Sequence, residues 1–238
     1  MIQPAYYRSR LLPEEQKAYR EIVNALLRHR GYAVLQIPVS GRTAIIKIVR
    51  AVHLDHPELV YVDFWNYHTA WDPLSGNVTV YFRFLLPQEA SDKVVSSLKE
   101  RAMSLRERVH GLSIRQKYSE VIREVAGTTK YEDTGSAFWD HTAAGPVLLH
   151  SAVCEGIAKI FLYYCQHAGI PCAIITGSFK DMPHAWNMVE LNGDRLYLDL
   201  TTMIDPSGGT LPDREGPREY FRTREQLIDT GYEWDSGS

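Results

Sequence analysis

The dipeptide Asn192-Gly193 constrains this chain more than any other feature. It separates HAWNMVEL (184–191) from DRLYLDLT (194–201), two runs of strand-forming residues. Asn-Gly is a preferred pair for a two-residue turn in which both residues take positive φ, and such a turn joins antiparallel strands directly. A two-residue loop also sets the pairing: Leu191 faces Asp194, Glu190 faces Arg195, Met188 faces Tyr197, Trp186 faces Asp199 and His184 faces Thr201. The Glu190–Arg195 pair is a plausible cross-strand ion pair and supports this alignment. His184 and Asp199 then share one face as diagonal neighbours, with Cβ atoms about 7–8 Å apart or less, within reach of a His–carboxylate hydrogen bond. The opposite face carries Ala185, Val189, Leu191, Leu196, Leu198 and Leu200, with Asn187 and Asp194 as polar exceptions, and reads as core. The bland alternative is a surface hairpin with a stray histidine and aspartate, and a three-residue loop would break the shared face.

Upstream lies a helix with one buried face. Ile157, Ile160, Phe161, Tyr164, Cys165 and Ala168 recur at helical spacing, Gly169 stops the helix and Pro171 follows. Ser151 is a candidate N-cap, which puts Cys154 in the first turn. At such a position the helix dipole and free backbone N–H groups favour a thiolate and can hold an oxyanion. Glu155 and Lys159, four apart, fit the exposed face. Cys165 lies on the apolar stripe and Cys172 opens the apolar strand Cys172 to Thr176, so both read as structural thiols. Cys154, His184 and Asp199 are the candidate nucleophile, base and orienting carboxylate.

Composition narrows the remaining classes. The chain has 238 residues, 45% of them hydrophobic, enough for a buried core in one large domain or two small ones. Net charge is −3, so no basic excess points to nucleic acid or an anionic membrane. The run Lys99 to Arg108 also carries Glu100 and Glu107 and reads as a solvated helix face. Three cysteines argue against a disulfide framework, although Cys165 and Cys172 are able to pair. No apolar run approaches the roughly 18 residues of a membrane span. MIQPAYYRSR has no apolar core of a signal peptide, so a cytoplasmic protein is expected; a mature exported form would look the same. His53 and His56 make a poor metal-ligand set without a nearby cysteine or carboxylate cluster. His29, His110, His150 and His167 stand alone, and no metal or organic cofactor is expected.

In chain order, residues 13–30 predict a helix that starts on Pro13, is favoured by Glu14 and Glu15 and ends at Gly31. Tyr19, Ile22, Val23, Leu26 and Leu27 form its apolar stripe. A strand follows from Tyr32 to Val39, closed by Ser40-Gly41, then a segment over Thr43 to Val52 that fits helix or strand, helix favoured, broken at Pro57. Strands are expected over Leu59 to Trp65 and Asn77 to Leu86, with Pro73 to Gly76 as the turn. Helices are expected over 90–110 and 113–126, the second with Ile114, Tyr118, Val121, Ile122 and Val125 on one side. Gly127 to His141 reads as a loop holding Tyr131, Phe138, Trp139, Asp140 and His141. The only boundary falls near 88–90, giving an N-terminal mixed subdomain over 1–89 and a second domain over 90–238.

The runs VCEG, AGIPCAIITG, HAWNMVELNG and YLDLT together resemble the transglutaminase-like superfamily of papain-like cysteine enzymes, with Cys, His and Asp in the same order. Thr142-Ala-Ala-Gly145, the segment 55–62, Tyr220-Phe221 and Tyr232 to Trp234 look like long bacterial members. Two positions depart from that pattern. Gln116-Lys117-Tyr118 stands where a His-Asp-Tyr helix start is common, and Thr201-Thr202 stands where Thr-Trp is common. The resemblance implies an α+β fold with the nucleophile helix packed on an antiparallel sheet that contains the hairpin, and with the N-terminal subdomain as a wall of the substrate groove. It implies that Cys154 attacks a carboxamide to form a thioester, that His184 is base and then acid, that Asp199 holds the imidazole, and that the Cys154 N–H is one oxyanion donor. Tyr131, Trp139 and His141 are candidates for the second donor. Tyr131, Trp139 and Trp186 are the candidate substrate-binding residues, with Trp186 either shielding the triad or filling the core. The implied activity is acyl transfer on amide bonds of proteins or peptides, cell-wall peptide included, with hydrolysis favoured over amine transfer. A non-enzymatic binding module on the same fold would be marked by a lost Cys, His or Asp, and all are present. Glycan release from glycopeptides would bring zinc-binding cysteine pairs, and none occurs.

Overall fold

The structure is a computed structural model that describes residues 2–35, 42–136, 138–204 and 220–236. The chain divides into two compact units, Ala5–Lys93 and Val94–Ser238 with Met1–Pro4.

The Ala5–Lys93 unit holds α1 (Pro13–Leu27), β1 (Tyr32–Leu35), α2 (Arg42–Asp55), β2 (Val62–Trp71) and β3 (Val78–Phe84). The strands form an antiparallel sheet in the order β1–β3–β2. Pro13 occupies the first turn of α1, and Glu15 reaches back to accept from the Leu12 N–H at 2.9 Å. The helix stops three residues before the expected end. Arg28 leaves the helical region, His29 takes φ 52° and the Arg30 N–H returns to the Ala25 carbonyl at 2.9 Å, so the chain reverses without a glycine. Strand β2 begins later than its residue pattern suggests and runs on to Trp71. The expected strand beyond Leu35, and its Ser40-Gly41 end, lie outside the described residues.

Helix α3 (Gln88–Arg108) leads into the second unit, which continues with α4 (Ile114–Thr128), β4 (Lys130–Tyr131), α5 (Ala144–Leu148), β5 (Ser151–Ala152), α6 (Cys154–Ala168), β6 (Cys172–Phe179), β7 (Met182–Leu191), β8 (Asp194–Leu198), α7 (Arg224–Ile228) and β9 (Tyr232–Trp234). Ser113 caps α4 through a capping box with Gln116. Ile114 is exposed and drops out of the apolar stripe, while Tyr118, Val121, Ile122 and Val125 are buried. Beyond the longer α4, the expected loop contains a short strand, β4, which pairs in parallel with β5.

The remaining strands form one antiparallel sheet in the order β8–β7–β6–β9, and α6 packs on β6 and β7. This is the α+β arrangement expected from the sequence. Asn192 and Gly193 have φ 56° and 88°, and the pairs Leu191–Asp194, Glu190–Arg195 and Met188–Tyr197 all form. The ladder ends at Asn187–Leu198, so the Trp186–Asp199 and His184–Thr201 pairings do not form. Both faces of β7 are buried: Ala185 and Val189 on one, Trp186 and Met188 on the other. Asn187, a polar exception on the core face, donates Nδ2–H to the Ala158 carbonyl of α6 at 3.0 Å and so ties hairpin to helix. At the far end of α6, Gly169 takes φ 67°, the Ile170 N–H bonds the Cys165 carbonyl, and Lys117 of α4 donates to the Ala168 carbonyl at 2.9 Å.

Candidate functional site

Cys154 is the first residue of α6, but Ser151 is not its cap. Ser151 and Ala152 are drawn into the pairing with Lys130 and Tyr131, and Val153, extended at φ −87°, precedes the helix with no side-chain cap. The first N–H groups of α6 therefore lack any side-chain acceptor at the N-cap. The loop before the helix fixes where it begins. The Asp140 carboxylate is fully buried and accepts from the Thr134 N–H (2.9 Å), the Thr134 hydroxyl (2.8 Å) and the Ser136 N–H (2.8 Å). The Asp140 carbonyl accepts the Val153 N–H at 3.1 Å. A Cβ on Gly156 would sit 2.5 Å from that carbonyl oxygen, so the helix seats this closely only because residue 156 has no side chain.

Glu155 and Lys159 are buried, contrary to the expected exposed face. Their charges are matched locally. Lys159 meets one Glu155 oxygen at 2.8 Å and the His141 carbonyl at 3.0 Å, and His141 Nδ1 meets the other Glu155 oxygen at 3.0 Å. The hydrogen bond to Glu155 raises the His141 pKa against a smaller opposing effect of burial. With Nδ1 engaged, His141 pins loop to helix. All three cysteines are free thiols, and Cys154 is the only one not buried. Burial pushes the Cys165 thiol well up, and a hydrogen bond to Cys172 adds to it.

His184 and Asp199 meet as the hairpin predicts. His184 Nε2 lies 2.7 Å from Asp199 Oδ2, although Asp199 sits one residue past the end of β8. Asp199 Oδ1 accepts the Thr201 N–H at 2.9 Å, which holds the carboxylate beyond the ladder. A third donor, unread in the sequence, completes the set: the Tyr232 hydroxyl of β9 gives its proton to Oδ2 at 2.6 Å. Burial alone would lower the His184 pKa. Hydrogen bonds to Asp199 and to Cys154, with the charges of both, outweigh it and raise the value to about 9. With Nε2 on Asp199, Nδ1 is the ring nitrogen left for the Cys154 sulfur. Trp186 lies nearly parallel to the imidazole at 6.0 Å between centroids, and Tyr232 and Trp234 meet Trp186 edge-on at 5.2 Å each. The Trp186 Nε1 has no hydrogen-bond partner among the described residues, so packing alone holds the ring.

The three candidate substrate residues separate. Trp186 is 1% exposed and lies within the aromatic packing around the imidazole, without a surface to offer a ligand. Tyr131 is 44% exposed and pairs with Ala152, two residues before Cys154. Burial, then the charges of Cys154, Asp133 and Asp199, raise its pKa, so the phenol lies in the field of those three groups. Trp139 is half-buried against Phe138, with centroids 4.4 Å apart. Sequence reasoning missed Tyr232, Asn187 and Asp140. Asp140 stood in the loop cluster read from the sequence without a role; Tyr232 entered only with the resembling block Tyr232 to Trp234, and nothing local tied it to Asp199, 33 residues away. Among the described residues no cluster of three or more His, Cys, Asp or Glu is fit to hold a metal ion, and no helix is long and apolar enough to cross a membrane.

Residues 104–200 match the model of the Transglutaminase-like superfamily. No curated protein matches the chain. Among solved structures it is similar to a TGase, at 12% identity and TM-score 0.42, over 84% of this chain and 56% of that one. It is also similar to a candidate cysteine protease from Cytophaga hutchinsonii, at 11% identity and TM-score 0.38, over 61% of this chain and 64% of that one. A third is the periplasmic domain of TgpA from Pseudomonas aeruginosa bound to ethylmercury, at 12% identity and TM-score 0.35, over 61% and 68%. The chain thus spans less than two thirds of the length of the first two of these structures.

Proposed function

We propose that this chain is a cysteine-dependent acyl-transfer enzyme acting on amide bonds of proteins or peptides, cell-wall peptide included; the match of residues 104–200 to the model of the Transglutaminase-like superfamily supports this reading. Residues 90–238 act as its catalytic domain and 1–89 as an N-terminal subdomain. One observation carries the reading. A half-exposed thiol at the start of a helix acts on the pKa of an imidazole whose Nε2 lies 2.7 Å from a buried carboxylate.

The chemistry follows from those positions. The Cys154 sulfur attacks the carboxamide carbon, and the carbonyl π electrons move to oxygen. The N–H groups at the start of α6, that of Cys154 first, face the developing negative charge. His184, held protonated by Asp199, gives its proton to the departing amine as the C–N bond breaks, which leaves a thioester on Cys154. Water or a second amine then attacks the thioester, His184 takes the incoming proton, and the C–S bond breaks to restore the thiolate. Water gives hydrolysis, the favoured outcome; an amine gives transamidation. Tyr131 and Trp139 are the candidate residues for contact with substrate.

The assay offers a glutamine peptide with and without a primary amine. Ammonia release or cleavage alone marks hydrolysis, and amine incorporation marks transamidation. Cys154→Ala should abolish either, and Asp199→Asn should lower the rate by roughly 10²–10⁴-fold, the range for loss of an orienting carboxylate. Turnover that survives Cys154→Ala would contradict the proposal.

A further inference from the structure

We propose that Tyr232 is a positioning residue of the triad, acting through Asp199, and that strand β9 is the part of the chain that delivers it. The proposal rests on the acyl-transfer reading above and extends it outside the segment that matches the superfamily core, which ends at residue 200.

Both Asp199 oxygens are engaged. Oδ1 takes the Thr201 N–H, and Oδ2 takes both His184 Nε2 and the Tyr232 hydroxyl. Two donors therefore draw on one oxygen. A carboxylate oxygen shared in this way is a weaker acceptor for either donor than an oxygen that serves one alone. Tyr232 thus limits how strongly Asp199 holds the charged imidazole. That limit matters to the proposed reaction, because His184 must release a proton to the departing amine. Without the phenol, Asp199 stays anchored by Thr201 and concentrates its charge on His184.

Strand β9 is bonded as a delivery element. Tyr232, Glu233 and Trp234 pair with Phe179, Ser178 and Gly177 of β6. The Gly231 carbonyl accepts the Lys180 N–H at 2.9 Å, the Asp235 N–H donates to the Thr176 carbonyl at 3.0 Å, and the Thr176 hydroxyl donates to the Asp235 carboxylate at 2.7 Å. A Cβ at Gly177 would lie 1.9 Å from the Glu233 carbonyl oxygen, so the pairing depends on glycine at that position. Gly177 is also the partner of His184 across β6–β7. One strand therefore fixes the phenol and the backbone opposite the imidazole together. The titratable and charged groups that act around Asp199 are His184 of β7, Cys154 of α6 through His184, Tyr131 of β4, Tyr232 of β9 and Arg222, whose charge acts on Tyr232.

A buried phenol needs an acceptor whether or not it has a role, so the test must read His184 itself. Side-chain nitrogen NMR of the whole chain, with His184 assigned by His184→Gln, gives its titration midpoint in wild type, in Tyr232→Phe and in protein carrying 3-fluorotyrosine at position 232. The expected order follows donor strength. Tyr232→Phe raises the midpoint by about half a pH unit or more, and the stronger fluorinated donor lowers it. On a glutamine peptide, Tyr232→Phe lowers kcat by about tenfold while KM stays within about twofold, since only proton delivery is affected. An unmoved midpoint, or an order that ignores donor strength, overturns the proposal. If Tyr232→Phe does not fold, the fluorinated protein decides alone. The titration uses no substrate, so failure to process any peptide would count against the acyl-transfer reading and leave the midpoint order standing. Cys154-dependent turnover with an unmoved midpoint would remove Tyr232 alone.

Discussion

Strand β7 ends in two hairpins of the same length and opposite character. At one end Asn192 and Gly193 turn the chain at φ 56° and 88°; at the other, Lys180 and Asp181 do so at φ 51° and 65°, with no glycine. The first turn uses residues that tolerate positive φ. The second puts Lys180, which pays on the order of 1 kcal/mol for positive φ, beside Asp181, which tolerates it better but less well than glycine. What holds it is external. The Gly231 carbonyl takes the Lys180 N–H, and β9 pairs with the three residues from Gly177 to Phe179 that lead into the turn. His184 lies three residues from this imposed turn and eight from the self-closing one. The site is thus built at the end of β7 that the C-terminal segment must shape.

Breaking the imposed end should have the largest effect. Gly177→Val puts a side chain where the Glu233 carbonyl now sits. It should free β9, lower stability by about 3 kcal/mol, near the upper end for overpacking, and abolish turnover. Urea unfolding with the peptide assay measures both, and near-native values would mean that β9 is not needed. Breaking the self-closing end should cost less. No atom lies within 4 Å of a Cβ at Gly193, so Gly193→Ala carries only the backbone cost, about 1 kcal/mol, with activity retained. Relieving the imposed turn should work in reverse: Asp181→Gly should leave stability equal or raise it by up to about 1 kcal/mol. A loss of more than that would mean the φ of Asp181 carries no strain.

A separate prediction concerns the pH dependence of stability. His184 titrates at about 9 in the fold against the usual 6.5, so the fold binds this proton more tightly than the unfolded chain does. Its stabilisation is therefore complete below about pH 6.5 and is lost as pH rises through about 9. The Tm difference between wild type and His184→Gln should narrow over that window. A gap that widens with pH would reverse the sign.

The same contrast explains what could be read from the residues. Asn192-Gly193 is local chemistry, and it set the pairing as far as Asn187–Leu198 and the shared side of His184 and Asp199. Tyr232 binds Asp199 across 33 residues and Gly177 matters only for what packs against it; neither leaves a local pattern. Glu155 and Lys159 show the other failure. Spacing of four suggests a solvated pair, but His141 arrives from a separate loop and lets both charges be buried. Ser151 looked like a cap because capping residues are recognised by type, whereas strand pairing with Lys130 and Tyr131 had already taken its backbone.

The central claim is that Cys154, set at the start of α6 beside His184, is the reactive thiol of this chain. Alkylation of the native protein with iodoacetamide near pH 6.5, followed by peptide mapping of the adducts, measures this directly. The account predicts that Cys154 is labelled far ahead of Cys165 and Cys172 and that His184→Ala removes the advantage. Equal labelling of the three thiols, or Cys154 labelling that His184→Ala leaves unchanged, would contradict it.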